Sequence, residues 1–306
     1  MPRKTNLYAA LLDRLPEVDP KYASNLYFRA MMQQPTNGEL ERIELTKDVI
    51  TICSANCGDF NAIYTNSSEE DSSLPPEITL DEWLRRWRKM INDTRFDMFC
   101  VNNWTEYFDY GFGTQNIIAQ EVLFDDIVKE HFVDPINSMT NSLRCQTRIP
   151  MEEIGILEVT RYYTHTDGET YQAHRRYALK TKIFLGGREV VIYTLHFVPG
   201  STGGWPGAFR AIQFTDLMND AQQYENVIFI GDFNTHNISE MEIFTNNGYK
   251  IGNGGYTGSH PTLRGMPIDN VVVSPNLNID YFKVMDDYAL NSDHLPFISQ
   301  VRYIGE

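Results

Sequence analysis

Two rhythms of apolar and polar positions run along the 306 residues. The first is a set of short apolar runs, rich in β-branched residues, that stop at a polar one. They are DVITICSAN (48–56), FDMFCV (96–101), RRYALKTKIFL (175–185), REVVIYTLHFV (188–198), VIFI (227–230), PIDNVVVS (267–274) and HLPFISQV (294–301). Several are apolar on both faces, the pattern of strands in sheets covered on each side. Another strand is predicted near 154–163. The second rhythm is helical. In TLDEWLRRWRKMI, Thr79 and Glu82 form a capping box, and Trp83, Leu84, Trp87, Met90 and Ile91 share one face with arginines opposite. A helix is also predicted over about 208–223, with Ile212, Leu217, Met218 and Ala221 facing inward, after the loop PGSTGGWPG. Residues 1–45 read as an N-terminal extension of two helical stretches, 5–14 and 21–33, separated by PEVDP. No repeat or low-complexity linker divides residues 46–306, so they read as one domain, weakly patterned over 110–150.

The polar residues at the strand ends carry the chemistry. Asn56 closes one run, His196 another, and Asp232 with Asn234 a third; Asp269 opens a fourth, and Asp293-His294 precedes the last. In VIFIGDFNTH (227–236), strand alternation predicts Asp232 and Asn234 on one side and Phe233 turned back into protein. A single Asp-x-Asn after a strand is an ordinary turn, and a lone histidine there is an ordinary structural residue. Five such positions at the ends of buried strands predict that the strands converge on one polar pocket.

Charge narrows the function. Lys and Arg number 26 against 41 Asp and Glu, a formal charge of −15. A basic footprint for tracking a polyanion is not offered by this balance, which weighs against a tight, sequence-reading DNA binder. A phosphate-bearing substrate remains compatible, because a carboxylate site holding a divalent cation is locally positive. The four cysteines form no Cys-x-x-Cys pair and no zinc spacing, and Cys53 and Cys100 fall in buried strands as small hydrophobes. No apolar run reaches the length of a membrane span. Asp13 and Arg14 break the only candidate leader core, so a cytoplasmic location is the expectation, although MPRK would also suit a chain trimmed of its leader.

SAN at the first strand's end, TLHFVP, GDFN, PIDN and NSDH occur in an order that resembles the endonuclease/exonuclease/phosphatase superfamily, the deoxyribonuclease I-like fold. TRIP and FRAIQF echo two further family segments, and the similarity spans about 48–303. The resemblance implies a four-layer α/β/β/α sandwich of two packed mixed sheets with outer helices. It also implies phosphoric ester hydrolysis with magnesium, manganese being the alternative. By resemblance, Asp293 is a metal ligand, and His294 contacts the phosphate or transfers a proton. Asp269 orients that imidazole, Asp232 activates the water, Asn234 and Asn56 donate to the phosphate, and His196 is a second acid or phosphate binder. One departure stands out. The family's second strand ends Asp-x-x-x-Leu-Gln-Glu, with the Glu a metal ligand; aligning on Asp97 puts Asn103 there, with Glu106 three residues on. Either Glu106 reaches the metal, or Asn103 binds it through a neutral carbonyl, or the site is altered. The expected function is a metal-dependent nuclease whose partner is nucleic acid, DNA ahead of RNA. The alternatives are an enzyme acting on inositol phosphates, lipids or nucleotides, and a non-catalytic binder. Arg175 or Arg176 in AHRRYALK would supply the basic cluster of a phosphomonoester enzyme, or be ordinary strand-edge charges; in the nuclease reading VPGSTGGWPGAFR would be a loop with Trp205 and Arg210 on the sugar-phosphate chain, or else a plain connector. Arg176 and Arg210 are the expected phosphate binders. Oligomeric state is left open.

Overall fold

The computed structural model describes residues 48–56, 89–90, 93–94, 96–102, 129–133, 143–147, 149, 151–173, 176–200, 204–253, 266–285 and 294–305. The extension predicted at 1–45, most of the helix predicted at 79–91, and Asn103, Glu106, Arg175 and Asp293 lie outside these residues.

Fourteen strands and two helices make up the described elements. The strands are β1 (Val49–Asn56), β2 (Met98–Asn102), β3 (Lys129–Val133), β4 (Leu143–Thr147), β5 (Glu152–Val159), β6 (Tyr162–Thr164) and β7 (Thr170–Gln172). They continue as β8 (Arg176–Leu185), β9 (Arg188–His196), β10 (Val227–Asp232), β11 (Lys250–Ile251), β12 (Asp269–Val273), β13 (Leu277–Val284) and β14 (Phe297–Tyr303). The helices are α1 (Gly204–Ala221) and α2 (Ile238–Asn246). One sheet has the order β13-β14-β1-β2-β4-β3 and the other β11-β12-β10-β9-β8-β5, with β6-β7 a separate hairpin. Both large sheets are mixed: β1 is parallel to β2 and β9 to β10, while the other pairings are antiparallel.

Strand alternation sorts the apolar residues into two layers. Ile50, Ile52, Met98 and Cys100 from the first sheet meet Leu179, Ile183, Ile192, Ile228, Ile230 and Val271 from the second, forming the inter-sheet core. The opposite face of the second sheet presents Val191, Tyr193, Leu195 and Phe229 to Phe214 and Leu217 of α1 and Phe244 of α2. Each fully buried side chain of this size contributes about 1.5–3 kcal/mol. The two-residue connection between β8 and β9 is Gly186-Gly187, with φ of 57° and 74°; a hairpin turn of this hand needs positive φ at both positions.

Several boundaries differ from expectation. The helix predicted from about 208 begins at Gly204, because Pro206 lies in its first turn, where a missing N–H costs nothing. Its inward face carries Phe209 and Phe214 besides Leu217, Met218 and Ala221, while Ile212 is only half-buried. The strand predicted at 154–163 divides into β5 and the start of the β6-β7 hairpin. The weakly patterned stretch 110–150 holds β3 and β4. Neither β13 nor α2 was anticipated; β13 is half-exposed and α2 is only nine residues long. Among the described residues, no helix is long and apolar enough to cross a membrane.

Candidate active site

Followed towards one end of the sandwich, five interior strands exchange apolar for polar residues on their inward faces. On β1 the series is Ile50, Ile52, Ser54, Asn56; on β2 it is Met98, Cys100, Asn102. On β9 it is Val190, Ile192, Thr194, His196, and on β10 it is Ile228, Ile230, Asp232. The antiparallel β12 runs the other way, from Asp269 to Val271 and Val273. The polar pocket is thus the continuation of the inter-sheet core, and all of these polar residues are buried. Register supports the convergence: Asp232 is paired with His196 on one side and with Asp269 on the other.

Hydrogen bonds join the two sheets here. Asn56 Nδ2 donates to Asp232 Oδ2 at 3.0 Å and lies 3.3 Å from His294 Nε2. His294 Nδ1 is 2.7 Å from Asp269 Oδ2. Facing a carboxylate, Nδ1 carries the proton, which leaves Nε2 directed at Asn56 and at Asp232 Oδ2, 3.8 Å away. His196 Nε2 lies 3.6 Å from the same Asp232 oxygen. Asp232 Oδ1 accepts the Asn234 backbone N–H at 2.7 Å. Packing is tight behind it. A Cβ at Gly231, whose φ is 136°, would collide with the Leu195 carbonyl oxygen, so only glycine suits this place in GDFN.

Burial and charge set the protonation states. Asp232 is pushed up to about 7, first by burial and then by the charge of Asp269; His294, the Asn234 N–H and Asn56 pull it back down. His196 is held well below its usual range by burial, with Arg176 and His294 also opposing its protonation. It is a neutral imidazole at pH 7.

Five predicted residues, Asn56, His196, Asp232, Asp269 and His294, therefore meet in one cluster, and Arg176 is buried near enough to act on His196. Two expectations need correction. Asn234 does not extend the strand beside Asp232: β10 stops at Asp232, and Asn234 adopts φ 53°. Its Nδ2 is turned onto the Phe197 carbonyl at 3.0 Å, so its side chain braces the loop and its backbone serves Asp232. Arg210 is fully buried, not a phosphate contact. It forms a two-pronged pair with Glu240 at 2.7 and 3.2 Å and donates to the Val198 and Gly200 carbonyls.

Three supporting residues escaped the sequence reading. Asn102, fully buried, bridges the sheets by donating to Leu195 O at 3.0 Å; its alternation with Met98 and Cys100 was the available signal. The Asn270 side chain accepts from Asn253 N at 2.8 Å and donates to Asn253 O at 3.0 Å, and Asn253 Nδ2 donates to Asp269 O at 3.2 Å. Asn270 was visible in PIDN, whereas nothing in the sequence marks Asn253.

A cation fits the donors present. Asp232, Asp269 and His294 offer ligand atoms within 4.8 Å of one another, and the effect of Asp269 on Asp232 shows an excess of negative charge that a hard divalent ion would relieve.

Comparison with known proteins agrees with this geometry. A sequence profile of the Endonuclease/Exonuclease/phosphatase family matches residues 152–294. The family this chain resembles, in sequence and in fold, is the endonuclease/exonuclease/phosphatase superfamily. An endonuclease/exonuclease/phosphatase from Beutenbergia cavernae superposes with a TM-score of 0.59 at 16% identity, over 84% of this chain and 72% of its own. A humanized D. rerio TDP2 gives 0.58 at 12% identity, over 84% and 100%. The human Nocturnin catalytic domain with bound sulfate anion gives 0.58 at 15% identity, over 85% and 96%. At these identities the structures establish the fold alone. No curated protein sequence matches the chain.

Proposed function

We propose that the chain is a divalent-metal-dependent phosphodiesterase that hydrolyses nucleic acid by attack of an activated water on phosphorus. The observation that carries this reading is the meeting of buried Asn56, His196, Asp232, Asp269 and His294 at strand ends from both sheets, with Asp232 bonded to Asn56 and His294 to Asp269. In this cluster Asp232 is the carboxylate placed to take a proton from water. The Asn56 amide and the Asn234 N–H fix its two oxygens, so its geometry is set before substrate arrives. Asp269 holds the His294 ring through Nδ1, so that Nε2, once it has taken a proton, can donate to a phosphoryl oxygen. His196, kept neutral, suits a hydrogen-bonding role at the phosphate rather than service as a charged acid. Asp293, together with Asn103 or Glu106, would hold a magnesium or manganese ion beside this cluster. When bound, that ion supplies charge neutralisation on the phosphoryl oxygens.

The acidic balance of −15 and the engagement of Arg210 with Glu240 favour a second reading, a small phosphate ester as substrate. One experiment separates the two. Plasmid DNA, RNA and bis(p-nitrophenyl) phosphate are each incubated with the protein, with magnesium, with manganese and with EDTA. Cleavage of a nucleic acid that EDTA abolishes supports the nuclease. Turnover of the small ester alone supports the second reading, and inertness of folded protein towards every substrate refutes both.

A further inference from the structure

Asn102 closes β2 on the inward face, two places beyond Cys100, and stands in register with Asn56 on the neighbouring β1. Asn56 turns its amide onto Asp232. Asn102 Nδ2 donates instead to Leu195 O at 3.0 Å, the carbonyl just before His196. The same nitrogen lies 3.2 Å from where a Cβ would stand on Gly231, the residue before Asp232. This side chain is therefore packed against the backbone that delivers both His196 and Asp232.

The other end of the amide has no such use. Asn102 is fully buried, yet among the described residues its Oδ1 meets no hydrogen-bond partner. Turning the amide over would set Oδ1 against the Leu195 oxygen, so that carbonyl decides which atom faces it. A buried acceptor without a donor is destabilising and calls for a water or an ion. The charge of the surroundings favours the ion: Asp232 and Asp269 bring two buried carboxylates, with His294, within 4.8 Å of one another. A hard divalent cation takes amide carbonyl oxygens as well as carboxylates. An amide pinned through Nδ2 is also already oriented, as metal ligands held by an outer hydrogen bond are.

We propose that Asn102 Oδ1 is a ligand for the divalent cation of this site, the donor that β2 contributes. The inference rests on the metal-dependent reading above and deepens it, because a neutral oxygen in this place holds the ion less tightly than a carboxylate would. Asn102→Asp should then strengthen metal binding: the new charge faces the Leu195 carbonyl in the empty protein, and the cation relieves that repulsion.

The test is manganese binding to the full chain freed of metal, followed by loss of the electron paramagnetic resonance signal of the free aquo ion, with each variant first shown to be folded by circular dichroism. Asn102→Ala should raise Kd by about tenfold or more, since loss of even an outer-shell partner costs about 10–100-fold. Asn102→Asp should lower Kd below that of wild type, and Asn103→Ala should leave it unchanged. An unchanged Kd in Asn102→Ala overturns the assignment and gives Oδ1 to a buried water; a loss confined to Asn103→Ala overturns it too. Should Asn102→Ala fail to fold, the nearly isosteric Asn102→Asp decides alone, and weaker binding than wild type refutes the ligand. No turnover is needed. Binding that depends on Asn102 in a protein inert towards every ester would sink the hydrolase reading and leave the ligand standing. An active enzyme whose Asn102→Ala variant binds manganese as wild type does would lose the ligand alone.

Discussion

Asn56 Nδ2 and Asp232 Oδ2 lie 3.0 Å apart, linking the ends of β1 and β10 across 176 positions of sequence and across the gap between the sheets. The bond stabilises the charged form of Asp232. Replacing Asn56 with Ala removes it, and Asp232 should then ionise at higher pH. A hydrogen bond to a charged group is worth about 1.5–3 kcal/mol, so the alkaline-rising limb of the kcat/KM profile should move up by about one to two pH units. A pH–rate profile of Asn56→Ala beside wild type checks this; an unmoved limb would show that Asn56 does not tune Asp232.

Asp232 also gives stability a definite dependence on pH. Its folded value, about 7, is above that of an unfolded aspartate. Folding therefore takes up a proton between roughly pH 4 and 7. The contribution is fully present below about pH 4 and is lost as pH rises through about 7. In EDTA, wild type should lose on the order of 2–4 kcal/mol from this group between pH 4.5 and 8, at about 1.4 kcal/mol per pKa unit. Asp232→Ala should show a correspondingly flatter slope in urea titrations. Parallel slopes would mean the carboxylate is not desolvated as described.

Asp269 acts through His294, 2.7 Å away. Asp269→Asn keeps the shape but offers a donor or a weaker acceptor to Nδ1, so the ring loses its fixed tautomer. The expected effect is a roughly 10²–10⁴-fold fall in kcat, by analogy with the same exchange in a serine-protease triad, with KM changed by less than about threefold. Steady-state kinetics on bis(p-nitrophenyl) phosphate give both numbers.

Arg210 and Glu240 form a buried pair that holds α1 to α2 and to the segment after β9. Breaking such a pair from one side costs about 3–5 kcal/mol, while replacing both partners with apolar residues is often neutral. Arg210→Met should therefore destabilise the protein by that amount in urea denaturation, and Arg210→Met with Glu240→Leu should recover much of it. Were Arg210 a phosphate contact, the single variant would instead stay stable and bind substrate poorly.

The parts of this architecture that were legible in the sequence are those with strong local patterns. Buried strands such as β9 and β10 combine unbroken apolar runs with a polar stop, and their inward alternation names His196 and Asp232 directly. Partners were harder to see than positions. Asn56 and His294 are 238 residues apart, and no periodicity reveals that they touch. Alternation also misleads once the strand ends: Gly231 and the positive φ of Asn234 turn the chain, so the two-residue rule that relates Asp232 to Asn234 no longer holds. Arg210 misled for a different reason. A charged residue after a glycine-rich loop resembles a surface contact, and only the approach of α2 supplies the Glu240 that permits its burial. Half-exposed β13 lacks the apolar run that betrayed the central strands.

The central claim is that Asp232, Asn56, His196, Asp269 and His294 work as one site on phosphorus. The most direct measurement is the magnesium-dependent hydrolysis of bis(p-nitrophenyl) phosphate by wild type, Asp232→Ala and His294→Ala, each first shown to be folded by circular dichroism. The expected result is turnover by wild type that falls at least roughly a hundredfold in each variant, the scale of losing a positioned general acid or base. Equal rates in the three proteins would contradict the claim.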